Sequence, residues 1–219
     1  MQDKNSFHSF ASDLEMEVKD KILEAALMLF YKFGIKGVTM DDIAKEMGIS
    51  KKTIYRFFNE KDDIVTALCE VELAKHVKNF DALQKEAKDP VHEMILIYHH
   101  IQKVYSDINP VFFYDLHKSF SKASNDFESF KNDFIFKSIY RNIEEGMKLD
   151  LYRSDLDVNF VTQYRVAQMN LLMTKDNFSL GTMSYAKAHQ MVMDIFMHGI
   201  STVKGHKLIN KYKNKHEEE

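Results

Sequence analysis

Apolar residues recur at helical spacing through most of the chain. From Val18 the stripe runs through Ile22, Ala25, Ala26, Leu29, Phe30 and Phe33, one face of an amphipathic helix. Gly34 stops it, because glycine tolerates the left-handed backbone that ends helices. Thr39, with Asp42 three residues on, predicts the capped start of a short helix carrying Ile43, Ala44 and Met47 and ending at Gly48. Ser50 caps the next, from Lys51 to Phe58, and a longer helix with Ile64, Ala67, Leu68 and Val71 runs from Lys61 to about Glu86.

Asp89-Pro90 opens a further helix with Val91, Met94, Ile95, Tyr98, Ile101, Val104 and Tyr105 on one face. Asn109-Pro110 precedes a short aromatic helix, and a long one covers Asn125 to Leu149. Asp155-Leu156-Asp157 precedes a helix through about Thr174; Asp176 to Thr182 is expected as a loop, and a last helix runs from Ser184 past Val203. The pattern predicts an all-α protein of about nine helices and no strand. It divides into a loose arm or frayed helix start at 1–16, a compact segment at 17–61, a larger helical part at 62–204 and a charged tail at 205–219.

Composition supports this picture. Only 2 prolines and 7 glycines interrupt 219 residues, too few for a turn-rich β fold. The 13 methionines and 17 phenylalanines, with no tryptophan, predict an adaptable interior. A single cysteine, Cys69, excludes an intramolecular disulfide or a cysteine-based metal cluster. No stretch approaches the roughly 20 apolar residues of a membrane span. The opening MQDKNSFHSF lacks the layout of a secretory signal, so the expected location is the cytoplasm. No glycine-rich phosphate loop, nucleophile elbow or paired catalytic motif points to an enzyme.

Net charge is −3, which on its own does not suggest nucleic acid. Between Lys45 and Lys61, however, Lys45, Lys51, Lys52, Arg56 and Lys61 outnumber Glu46 and Glu60. The same segment has the layout of a helix-turn-helix: a turn glycine (Gly48), a small residue at the crossing (Ala44), and apolar anchors at Ile43, Met47, Ile49, Ile54 and Phe57. The free face of its second helix offers Lys51, Lys52, Thr53, Tyr55 and Arg56 to a major groove. The first three suit base edges; Tyr55 and Arg56 suit phosphate anchoring as well as base readout. Thr39 and Lys61 flank the motif as expected phosphate contacts.

The run GIKGVTMDDIAKEMGISKKTIYRFFNEKDDIV, Gly34 to Val65, resembles the DNA-binding region of the TetR/AcrR family of bacterial transcriptional regulators. The shared elements are a threonine-capped helix with Ile-Ala, the turn glycine, Ser-x-x-Thr-aliphatic-Tyr, paired aromatics and Lys-acid-acid. Arg56 stands where His or Tyr is common, and Lys52 replaces a small residue, so operator preference does not transfer. The resemblance implies an N-terminal three-helix DNA-binding domain followed by a larger helical ligand-binding and dimerisation domain. It also implies a homodimer that binds a near-palindromic double-stranded operator, usually as a repressor, and leaves it when a small-molecule effector binds.

Two features of the remainder fit that expectation. Tyr164, Ala167, Leu171 and Leu172 form one stripe, and Ala188, Met191, Val192, Ile195, Phe196, Gly199 and Ile200 another, fit either for a four-helix dimer contact or for intramolecular core. Aromatic and histidine side chains cluster mid-chain, with Tyr98, His99, Phe112, Phe113, His117 and Phe134 as candidate effector contacts; they suit a mostly apolar cavity or a packed core equally. His92, His99, His100 and His117 lack i,i+4 pairing, so neither a metal nor another cofactor is expected. A further reading, an interaction module that no longer touches DNA, is opposed by Lys51, Lys52, Arg56 and Lys61.

Overall fold

A computed structural model describes the backbone of residues 3–106, 108–173, 183 and 185–216, and the side chains of 15–104, 106, 108–171, 183 and 187–213. The loop expected at Asp176 to Thr182, the Leu172 side chain and residues 217–219 lie outside the described residues. The elements are α1 (Asp3–Phe33), α2 (Met40–Met47), α3 (Lys51–Tyr55), α4 (Lys61–Glu86), α5 (Pro90–Tyr105), α6 (Val111–Ser119), α7 (Ser121–Phe130), a π-helical turn (Lys131–Ile135), α8 (Phe136–Lys148), α9 (Val158–Met173), α10 (Tyr185–Ile200) and α11 (Val203–His216). Among the described residues the only β pairing is an isolated bridge, Tyr152 to Ser201.

The chain forms two compact units, Met1–Val71 with Asn109–Ser124, and Glu72–Ile108 with Asn125–Glu219. The first unit thus extends past residue 61 and takes in a segment from the middle of the chain, where the sequence suggested one contiguous block. Its core joins Ile22, Ala26 and Phe30 of α1 to Ile43 and Ala44 of α2, Ile54 of α3, Ile64 of α4, and Leu116 of α6. The amide of Asn109 donates to the Tyr31 carbonyl at 2.8 Å, and the Asn109 side chain to that of Lys32. These bonds supply partners for carbonyls at the end of α1, which the helix itself leaves unpaired. Buried Asp115 accepts the Lys36 amide at 2.8 Å, tying α6 to the turn before α2.

The second unit packs α5, α8, α9, α10 and α11 around Val91, Ile143, Tyr152 and Ile209. A polar network is buried inside it. Asn142 donates to the Pro90 carbonyl and to Glu93, accepts from the Tyr152 hydroxyl at 3.1 Å, and Glu93 pairs with Arg141 at 2.5 Å. Every member has a partner, the condition under which buried polar groups fix a fold rather than weaken it. Gly146 sits beneath Tyr152, and a Cβ there would overlap the ring.

Several boundaries differ from the sequence reading. Helix α3 ends at Tyr55 rather than Phe58, and the last helix, expected to run past Val203, ends at Ile200 before α11 begins at Val203. Helix α1 starts at Asp3, within the segment expected as an arm. The long helix expected at 125–149 is α7 and α8 joined through the π-helical turn. The expected tail at 205–219 is largely α11, whose Ile209 and Tyr212 are buried in the second core. Its lysines marked a solvated end, but their spacing leaves one apolar edge, and Tyr212 bonds Asp89 at 2.5 Å.

Candidate nucleic-acid interface and interior cavity

The α2–α3 pair is held by its own short-range chemistry. Thr39 Oγ1 accepts the Asp42 amide while the Asp42 carboxylate accepts the Thr39 amide at 2.8 Å, a complete capping box. The carboxyl of Asp42 is held below its usual pKa by the Thr39 hydroxyl and then by its amide. Gly48 adopts φ 65°, ψ 26°, and Ile49 donates back to the Ala44 carbonyl at 3.0 Å. A non-glycine residue at that left-handed position carries a steric cost. Ser50 then caps α3 by accepting the Thr53 amide at 3.2 Å, and Ile54 plugs the core with no exposure.

This framework leaves a cationic edge exposed. Lys51, Lys52, Tyr55 and Arg56 all face solvent. Lys51 pairs with Asp41 at 3.0 Å and Arg56 with Glu15 at 3.4 Å. Exposed pairs of this kind are worth about 1 kcal/mol or less, so either cation can exchange its partner for a phosphate. Lys51 also lies 5.9 Å from the Tyr55 ring centre. Thr53 is half-buried with its hydroxyl 2.9 Å from Ser50 Oγ, which places it in the cap rather than on the free edge.

Lys61 is placed differently from its expected role as a phosphate contact. Its ammonium donates to the carbonyls of Ile35 at 2.9 Å and Val38 at 2.8 Å. Burial lowers its pKa, against the opposing charges of Asp115 and Asp62. Lys61 therefore positions the turn between α1 and α2. The acceptors lie 26 and 23 residues upstream, beyond what local spacing reveals.

The second unit encloses a cavity of about 80 Å³, lined mostly by apolar groups such as Phe80, Met94, Ile97, Tyr98, Phe130 and Met169. Of the six effector candidates, Tyr98 lines it. Phe134 stands behind it, 5.3 Å from Phe130 and 6.1 Å from Phe80 by ring centres. His99 borders a separate hollow beside Gln102 and Asp194. Phe112, Phe113 and His117 belong to the first unit, where Phe112 packs edge-on to Tyr31 at 5.0 Å and His117 contacts Ser124 at 3.2 Å. The sequence reading missed His76, Lys131, Arg165 and His189, polar residues of the lining. Their helices are far apart in sequence, so only packing brings them together.

The stripes on α9 and α10 split into two roles. Ala188, Phe196 and Ile200 are buried within the unit. Phe160, Tyr164 and Ala167 of α9, and Met191, Ile195 and Gly199 of α10, are exposed; the Phe160 and Tyr164 rings stack at 6.5 Å. Among the described residues no helix is long and apolar enough to cross a membrane.

Residues 22–68 match the bacterial regulatory proteins of the tetR family. The HTH-type transcriptional regulator YhgD of Bacillus subtilis is 35% identical over 82 residues, covering 37% of this chain and 42% of that protein. A Staphylococcus aureus HTH-type regulator is also 35% identical, over 77 residues, 35% of this chain and 40% of its own length. The chain thus spans about two fifths of the curated relatives it matches. Solved structures extend the likeness in fold. A TetR-family regulator from Agrobacterium tumefaciens gives a TM-score of 0.71 at 14% identity, covering 86% of this chain and all of that one. FadR from Bacillus subtilis, solved with stearoyl-CoA, gives 0.62 at 17% identity over 82% and 98%. With the capped α2–turn–α3 geometry, residues 22–68 are thus similar to the DNA-binding segment of the tetR family of bacterial regulatory proteins.

Proposed function

We propose that this protein is a ligand-responsive transcriptional regulator acting in the cytoplasm, a repressor that binds a near-palindromic operator as a homodimer and releases it when a small molecule occupies the second unit. It performs no catalysis in this reading. The observation that carries the proposal is the exposed edge of Lys51, Lys52, Tyr55 and Arg56 on a helix pinned by Ile54 and capped by Ser50. A rigid cationic edge on a short helix fits a major groove, with phosphate contacts setting register and side chains at base edges setting sequence.

Dimerisation is assigned to the exposed apolar residues of α9 and α10. Phe160, Tyr164, Met191 and Ile195 would meet their own copies across a two-fold axis, and Gly199, where a Cβ would meet nothing within 4 Å, permits close helix approach. The cavity is the proposed effector site. Effector binding acts on DNA affinity by favouring a conformer in which the paired recognition helices no longer match successive grooves. Two covalent routes serve that linkage: α4, which passes from the first unit to the second at Val71–Glu72, and the segment Asn109–Ser124, part of the first unit but joined at both ends to the second.

Selection of random duplexes on the purified protein, followed by affinity against salt, tests the reading. The expected result is a near-palindromic winner whose binding falls steeply with salt and is lost in Ile195→Asp, which runs as a folded monomer. A folded protein that enriches no sequence, before and after unfolding and refolding to strip bound effector, would overturn it.

A further inference from the structure

Two histidines meet at the elbow between α10 and α11. The Nδ1 atoms of His198 and His206, residues eight apart, stand 3.2 Å from each other, with ring centres 4.8 Å apart. Backbone and cap bonds set this elbow. Thr202 Oγ1 accepts the Gly205 amide at 3.2 Å and donates to the Asp150 carbonyl at 2.8 Å. The Thr202 amide donates to the Leu151 carbonyl at 3.0 Å, and Arg153 donates to that of Gly199 at 3.1 Å. Gly205 passes so close to the Leu151 carbonyl that a side chain there would overlap it. His198, in the last turn of α10, and His206, in the first turn of α11, are thereby held together and half-buried.

The surrounding acceptors leave the pair one cation short. His206 Nε2 lies 3.0 Å from the His198 carbonyl, which only accepts, so that nitrogen carries the proton and Nδ1 of the neutral ring carries a lone pair. His198 Nε2 lies 3.5 Å from an Asp194 carboxylate oxygen that also receives the Lys213 ammonium. A neutral His198 does not satisfy both sides. With its proton on Nδ1 it bonds His206 but turns a lone pair on the carboxylate. With its proton on Nε2 it serves Asp194 but sets two lone pairs against each other. A positive charge between the Nδ1 atoms removes the conflict, as a metal ion or as an extra proton on His198. The second shell fits the metal. Metal-bound histidines ordinarily donate their other N–H to a carboxylate or a backbone carbonyl, here Asp194 for His198 and the His198 carbonyl for His206. The spacing fits as well: two imidazole nitrogens on one tetrahedral zinc ion stand about 3.3 Å apart.

We infer that His198 and His206 form a two-ligand site for a divalent cation of the zinc class, bound through both Nδ1 atoms and completed by water. Imidazole donors suit such borderline ions. Among the described residues no group of three or more His, Cys, Asp or Glu forms a metal cluster. With half the ligands of a structural zinc site, the expected Kd is on the order of 10 μM, an exchangeable ion. Bound there, the ion ties α11 to α10. Helix α11 buries Ile209 and Tyr212 in the second core, so the tie secures that helix on its unit. The site stands independently of the DNA and effector readings. Its ligands flank a break between two helices, so the i,i+4 spacing of a single helix does not reveal it.

Calorimetric titration of the full-length protein with zinc chloride, at neutral pH in a non-chelating buffer, tests the site. One zinc per chain is expected to bind, and hydrogen exchange at α11 amides is expected to slow in its presence. His206→Ala and His198→Ala each remove one ligand and are expected to weaken binding at least about tenfold; the second serves if the first unfolds. Asp194→Asn keeps both ligands and is expected to weaken binding by a smaller factor. His100→Ala alters another close pair, His76 and His100 with ring centres 6.1 Å apart, and is expected to change affinity less than about twofold. Affinity unchanged in both ligand variants, or lost in His100→Ala instead, would place the zinc elsewhere and overturn the site. No binding by the natural chain would also overturn it, leaving a proton as the cation of the pair. Zinc that binds at His198 and His206 without slowing exchange in α11 would overturn the tie between the helices.

Discussion

In the first unit the side chains facing outward from α2 and α3 are set by bonds made within a few residues: Thr39 with Asp42, Gly48 with Lys45, and Ser50 with Thr53. In the second, the groups around the cavity come from four separate helices. His76 lies on α4, Lys131 on the π-helical turn, Arg165 on α9 and His189 on α10, and the supporting network joins Glu93 to Asn142 across 49 residues. A surface built from local caps keeps its shape when distant residues change. A cavity built from long-range packing changes with each of its walls, a division that fits the proposed function, in which the surface matches a groove and the interior responds to a ligand. The contrast predicts that single substitutions will damage the two units by different mechanisms.

The largest effect is expected at Gly146. An alanine there collides with Tyr152, which is fully buried and bonded to Asn142, so neither ring nor backbone has room to move. Gly146→Ala should cost the second unit about 3 kcal/mol or more, seen as a lower denaturation midpoint. An unchanged midpoint would mean that the packing around Tyr152 is looser than its burial indicates.

A pH effect comes next, at His189. Its folded pKa is depressed to about 4, while the unfolded chain titrates near the ordinary value of about 6.5. Above the unfolded value neither state holds the proton and His189 contributes no pH dependence. As pH falls from about 6.5 to 4 only the unfolded state takes up the proton, so stability declines by roughly 3 kcal/mol in all and levels off below the folded value. Denaturation at successive pH values, compared between the natural chain and His189→Gln, isolates this slope from that of the carboxylates. Parallel profiles would show that His189 is protonated as readily in the folded chain.

The same contrast decides what was legible in the sequence. Thr39, Asp42, Gly48, Ser50 and the spacing of Ile43 and Ile54 lie within one short window, and each element's chemistry identifies it. The helix-turn-helix was therefore readable before any packing was known. The cavity was not. Tyr98, Phe112 and Phe113 look alike in a list of aromatic residues, yet Tyr98 lines the second unit's cavity and the other two pack in the first unit. Nothing local to Lys131 or Arg165 marks them as buried, since lysine and arginine on a helix are ordinarily solvated. In α11 the spacing of Ile209 and Tyr212 was visible, but the density of lysines around them pointed to a solvated tail.

Lys61 and Lys52 bring the comparison down to single charges within the first unit. Both lie in the basic segment, and charge alone makes them equivalent phosphate ligands. The geometry separates them, because Lys52 is exposed whereas Lys61 holds the Ile35 and Val38 carbonyls. Lys61→Met keeps the stem but leaves two partly buried acceptors without their charged donor, an expected cost of about 2 kcal/mol. Faster hydrogen exchange at α2 amides reports that loss, and the dependence of log affinity on log salt should keep its slope. Lys52→Ala should leave stability within about 0.5 kcal/mol and reduce the salt slope by about one unit, the signature of one lost phosphate contact. The reverse pattern, a shallower slope in Lys61→Met with unchanged exchange, would make Lys61 a phosphate ligand whose bonds to Ile35 and Val38 open on DNA. Asp115, which accepts the Lys36 amide, would then be the side chain from outside the turn that still holds it, and Asp115→Asn would become the variant that loosens it.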